Sequence, residues 1–284
     1  MKIIDVVEPF VKDYKPTVFY LDEYYSTYQQ DYEQYFMYHC LHKEQKKERA
    51  IRLHPKKLPE LLPMRDVFLR EIPRIAGEYE SMFSIQFTKD VHLLVGLYGS
   101  NAFTYRQYNP EVAFCLEKLP YNEKSIRLII AHEFGHATHF VYSNQNNLSW
   151  DLVDWNSPYT WLLQEGIATY LSTRIVEADL DEYFSFEADV EWISFAQEQE
   201  ARIASLFQED VENIDARSMM KEWFSINGGA HLGVTRLGYY LGYQIVTNLL
   251  KRYDIEEILM LWEKDSFTAI MKEELQQIRY VSRK

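Results

Sequence analysis

The chain reads as an α+β protein, a small mixed sheet with an exposed edge strand packed on a mainly helical domain. Short runs rich in strand formers cluster between about residues 83 and 117. From Asn122 onward almost everything is helical by period. The two patterns stand in blocks and do not alternate, which separates α+β from the βαβ arrangement. With 284 residues, 47% of them hydrophobic and 26% charged, the chain can bury a sizeable core. Disorder, collagen and low-complexity fibres are excluded as its main organisation.

Taken in order, residues 1–80 form an N-terminal helical segment packed on the remainder, residues 81–284. Val18 to Arg52 reads as mostly helical, with Tyr24, Tyr28, Tyr32, Tyr35 and Tyr38 on one broad core-facing side. Pro55, Pro59 and Pro63 then punctuate the chain, and a second helix is expected from Met64 to Tyr79 with a kink near Pro73. Strands are expected at Phe83–Phe87, Val91–Tyr98, Gly99–Tyr105 and Glu111–Leu116, giving a sheet over 83–117. Helices follow at 122–142, where Asn122 is a fair N-cap, and at 158–177, where Ser157-Pro158 supplies a cap and a first-turn proline. The rest is a helical C-terminal part.

The balance of 30 basic against 43 acidic residues, formally −13, argues against binding nucleic acid through its phosphates. The basic stretch from Lys43 to Lys57 is interleaved with Glu44 and Glu48 at helical spacing and reads as a solvated helix face. No apolar run is long enough to span a bilayer. Asp5 and Glu8 sit where an export signal would carry its apolar core, and the two cysteines are too few for a disulfide framework. A cytoplasmic location is the expectation.

The chemistry lies on the first helix after the sheet. Ile126, Ile129, Ile130, Phe134 and Ala137 give it a buried stripe, and His132 and His136 project one turn apart from one face. Two imidazoles so placed can grip one tetrahedral Zn²⁺, while Glu133 can reach a water there without being a ligand. This is the H-E-x-x-H pattern. A third protein ligand is needed, and Glu165 lies on the next helix in an apolar setting where an unpartnered charge is costly. Gly166 and Ala168 beside it remove bulk where helices must approach.

His132-Glu-Phe-Gly-His136 together with Glu165-Gly-Ile-Ala resembles the gluzincin metallopeptidases. More narrowly, the chain resembles the bacterial family of predicted zinc-dependent proteases, in which a Gly-Tyr-rich helix follows the two zinc helices. Here that helix is Arg236-Leu-Gly238-Tyr239-Tyr240-Leu-Gly242-Tyr243, and the likeness covers roughly residues 90–250. The resemblance implies a zincin-like fold and peptide or protein substrates. It also implies one zinc per chain on His132, His136 and Glu165, with Glu133 as general base and Tyr239 stabilising the oxyanion. A strand between Val95 and Tyr105 would be the edge on which an extended peptide lies. Some relatives carry an aspartate four residues after the ligand glutamate to orient a zinc histidine. Here that position is Thr169, so such a partner must come from elsewhere.

Tyr240, with Tyr243 behind it, is the reserve for Tyr239, and packing is the alternative for all three. His231 is a candidate second oxyanion donor or substrate contact. Arg236 could meet a substrate carboxylate or form a structural ion pair. His139 reads as pocket wall or surface, and His39-Cys40-x-His42 as incidental. The rival reading is a catalytically silent, zinc-stabilised binding or regulatory protein. Glu133 discriminates against it, since a silent site has no use for a base. A helical interaction protein without metal is the third reading.

Overall fold

A computed structural model describes residues 1–281, which divide into two compact units, 1–141 and 142 onward. The expected boundary at residue 80 falls within the first of these. The architecture is α+β, mostly helical with one four-stranded mixed sheet in the first unit. No helix among the described residues is long and apolar enough to cross a membrane.

The sheet order is β1-β2-β4-β3, from β1 (Ile3–Asp5), β2 (Val91–Leu94), β3 (Ala102–Thr104) and β4 (Val112–Cys115). β1 and β4 run parallel to β2, and β3 runs antiparallel to β4 in the register Ala102↔Phe114, Phe103↔Ala113, Thr104↔Val112. Two strand expectations change. β1 stands inside the segment expected to be helical, because a three-residue strand carries no readable period. Phe83–Phe87 is not a strand, although Phe83, Ile85 and Phe87 are buried in alternation with exposed Ser84 and Gln86. Its backbone turns back on the preceding helix, with Ile85 N–H on the Glu80 carbonyl and Phe87 N–H on the Glu80 carboxylate. Alternation there reports burial, not pairing.

Before the sheet come α1 (Val7–Asp13), α2 (Val18–Thr27), α3 (Gln29–Gln34) and a π-helical turn, Tyr35–His39. Of the tyrosine stripe, Tyr24, Tyr32 and Tyr35 are buried, whereas Tyr38 is exposed. Next runs α4, Lys43–Phe83, one continuous helix through Pro55, Pro59, Pro63 and Pro73 where the sequence predicts a break and a kink. All four prolines face solvent. The carbonyls four residues before them lose their N–H donors on the wet side, where water can serve them. The opposite stripe, Leu61, Met64, Phe68, Ile72, Ile75 and Tyr79, is buried and holds the helix together.

The turn after β2 is bonded by side chains. Five successive N–H groups donate to them: Val95 to the Tyr32 hydroxyl at 3.0 Å, Gly96 and Tyr98 to the two Glu117 oxygens at 2.8 and 3.0 Å, Leu97 and Gly99 to the Tyr35 hydroxyl at 2.7 and 3.0 Å. Tyr25 and Tyr32 donate to the Val95 carbonyl, and the His54 ring meets the Gly96 carbonyl at 2.9 Å. Buried tyrosines thus replace a ladder, and the turn they fix leads directly into β3.

The second unit is helical. α6 (Pro158–Ile175) packs extensively on α11 (Leu237–Leu249). The approach is backbone to backbone: a Cβ on Gly166 would lie 2.2 Å from the Gly242 carbonyl oxygen, and one on Gly242 2.3 Å from that of Leu162. Around this pair lie α7 (Glu182–Ser185), α8 (Val190–Glu198), α9 (Glu200–Asn213), α10 (Ala216–Phe224), α12 (Ile255–Leu259) and α13 (Phe267–Val281). Asp189, Asp215 and Asp254 cap α8, α10 and α12 by accepting first-turn N–H bonds.

Candidate metal centre

The helix that carries the motif is α5, Glu123–Gln145. The Asn122 side chain accepts from the N–H groups of Lys124 and Ser125, which fixes where the helix starts and hence which face it buries. Ile126, Ile129, Ile130, Phe134 and Ala137 are all buried, so the five positions chosen by spacing form the core stripe. The Tyr79 hydroxyl of α4 donates to the Ala131 carbonyl at 2.8 Å, one residue before the motif. The Phe87 ring meets Phe134 edge-on at 5.0 Å.

On this helix the rings of His132 and His136 lie 4.8 Å apart, centroid to centroid. His132 is buried and His136 half-buried. Glu165, half-buried, lies in the second turn of α6, whose start at Pro158 agrees with the sequence; the Ser157 side chain makes no capping bond. One ligand atom from each of His132, His136 and Glu165 falls within 4.8 Å of the other two. Two imidazole nitrogens and a carboxylate oxygen are a donor set that suits zinc and leaves a fourth position open. Among the described residues, His39, Cys40 and His42 form no such group. The His39 ring instead stacks on Phe103 at 3.7 Å, and His42 is the left-handed residue before α4.

Glu133 is 8% exposed, and the Thr104 hydroxyl of β3 lies 2.8 Å from its Oε2 and 3.0 Å from its main-chain oxygen. Nothing in the local sequence pattern marks Thr104 as part of the site. It shows only a hydroxyl in the run Ala102-Phe103-Thr104-Tyr105, alternating with two aromatic rings. Those rings face the other way, Phe103 towards Tyr35 and His39, Tyr105 towards His92.

The remaining candidates lie in the second unit. Tyr239, on α11, is half-buried with its ring 6.1 Å from Phe224. Tyr240 is 2% exposed and its hydroxyl donates to Glu200 at 3.0 Å. Burial, reinforced by the Glu200 charge, pushes its phenol well above the usual range. Arg236 holds a left-handed backbone (φ 62°) before α11 and donates to the Phe184 carbonyl at 3.0 Å. The His231 ring meets the buried Asp210 carboxylate at 3.0 Å, and Asp210 also accepts from the Trp223 indole at 2.8 Å. Glu222 accepts the N–H groups of Ala230 and His231, fastening the same loop. In the first unit His139 is fully buried, which excludes the surface reading. Thr169 is buried on α6.

Neither a curated protein nor a solved structure matches the chain. Residues 102–267, more than half of its length, match the model of one family. That stretch begins at β3 and takes in α5, α6 and α11, so the chain belongs to the family described as predicted Zn-dependent protease (DUF2268).

Proposed function

We propose that the protein hydrolyses peptide bonds, on a zincin-like scaffold, with zinc held by His132, His136 and Glu165. The observation that carries the reading is the grouping of those three donors within 4.8 Å, with Glu133 next to the first of them in a chain of this family. Bound there, zinc supplies a Lewis acid that polarises the scissile carbonyl and makes water more acidic. Glu133 takes the proton of the attacking water and passes it to the leaving amine. Tyr239 donates its hydroxyl to the oxygen on which charge develops. An extended peptide lies along β3, the edge strand on one side of the sheet.

Elemental analysis of protein purified without added metal should find about one zinc per chain. Full retention of metal by a His136→Ala, Glu165→Ala double variant would sink the ligand set. Glu133→Gln should keep metal and fold while cleavage of a library-selected peptide falls by roughly 10²–10⁴-fold. Tyr239→Phe should lower kcat and kcat/KM together by about 10²–10³, with KM nearly constant. A zinc-loaded chain that cleaves nothing in the library would favour the silent binding protein.

A further inference from the structure

The Thr104 hydroxyl has one proton and two acceptors within reach, the Glu133 carboxylate at 2.8 Å and the Glu133 main-chain oxygen at 3.0 Å. The carboxylate is nearer, and a charged acceptor forms the stronger bond. A glutamate reaches its oxygens through three rotatable bonds, so a buried base needs something to choose its orientation. Threonine suits that task, since a β-branched side chain has one stiff torsion and here stands on a hydrogen-bonded strand.

The backbone of Thr104 has a second property. Tyr105 N–H donates to the Glu111 carbonyl and Cys115 N–H to that of Asn101, so residues 101 and 105 turn their polar groups to β4. By antiparallel alternation the N–H and carbonyl of Thr104 point the other way, to the open edge of the sheet. The residue whose side chain reaches Glu133 is therefore one whose main chain faces any strand added at β3.

We propose that Thr104 is the positioning residue for Glu133, fixing its carboxylate and tying it to the register of a peptide paired with β3. The proposal rests on the peptidase reading for its consequence in turnover, but not for the bond itself. A purely structural Thr104 would use its hydroxyl only to tie β3 to α5 through the main-chain oxygen.

The test compares Thr104→Val, which keeps shape and strand preference without the hydroxyl, with Thr104→Ser, which keeps the hydroxyl. Thr104→Ala is the second hydroxyl-free variant should valine prevent folding. In crystals of the metal-free proteins, the Glu133 carboxylate should hold one orientation in the wild type and the serine variant. In the hydroxyl-free variants it should be displaced or split. On a peptide that the wild type cleaves, Thr104→Val should lose about 10–100-fold in kcat with KM within about twofold, because a misplaced base slows chemistry more than binding. Serine should restore most of the rate, and zinc content should not change. An unmoved carboxylate in the hydroxyl-free variants overturns the proposal. So does a raised KM with kcat intact, which would make Thr104 part of the substrate edge alone. If the wild type cleaves nothing, the peptidase reading fails by itself, and the carboxylate orientation still decides the role of Thr104.

Discussion

The turn at residues 95–99 and the crossing of α6 with α11 are held in opposite ways. The first is fixed by added groups: three tyrosine hydroxyls, a histidine and a carboxylate take up its peptide groups. The second is fixed by removed groups, because Gly166 and Gly242 let two backbones touch. A turn that leads into an edge strand cannot finish its bonding with a further strand, so side chains complete it. Two helices whose bonding is internal need only a matching surface. The turn should therefore be sensitive to hydroxyls and protons, and the crossing to volume.

The largest effect is expected at the crossing. Gly242→Ala gains roughly 1 kcal/mol of helix propensity, yet its methyl meets the Leu162 carbonyl, a backbone atom that cannot step aside. A net loss of about 3 kcal/mol or more in urea unfolding is expected, and wild-type stability would mean the helices separate at no cost. Second comes a pH effect at the turn. Burial raises the Glu117 carboxyl from its ordinary 4.5 to about 7, against the pull of the Gly96 and Tyr98 N–H groups. The folded protein thus holds this proton more tightly than the unfolded one. Its stabilisation is complete below about 4.5 and is lost as pH rises through about 7, on the order of 3 kcal/mol in all. Urea unfolding at pH 5 and pH 8 should show that loss in the wild type and not in Glu117→Gln; equal losses would remove Glu117 from the account.

Tyr35→Phe deletes the acceptor of one buried and one half-buried N–H group and should cost about 2 kcal/mol, with hydrogen exchange at Leu97 and Gly99 speeding up. Unchanged exchange there would make the turn's bonding redundant. The smallest effect belongs to Tyr240→Phe, which removes one bond to Glu200 and should cost about 1 kcal/mol by thermal unfolding. Stability intact but kcat reduced would move the oxyanion role of Tyr239 to its neighbour.

These contrasts also explain what could be read from the sequence. The capped start of α5, its apolar stripe and the one-turn histidine pair are local patterns, and each was legible. The start of α6 was legible for the same reason, from Ser157-Pro158. The prolines of α4 misled because their effect depends on which side is wet, and that is set by packing far along the chain. β1 was invisible since three residues show no period. The Glu117 and Tyr35 bonds to the turn join residues 19 to 64 positions apart, and no spacing rule announces them. Thr104 lay hidden for that reason as well, 29 positions from Glu133.

The brevity of the edge strands has a consequence for self-association. Sheets with long, flat, apolar edges recruit strands from other copies of the same chain. β3 and β1, the two edges here, are three residues each, about 10 Å of ladder apiece. Asp5 in β1 is also drawn into an ion pair with Arg65 of α4, placing charge on that border. Such edges give a second copy too few bonds to offset the entropy of docking. The same arithmetic holds for a short extended segment laid on β3, whose binding would have to come mostly from contacts other than the ladder.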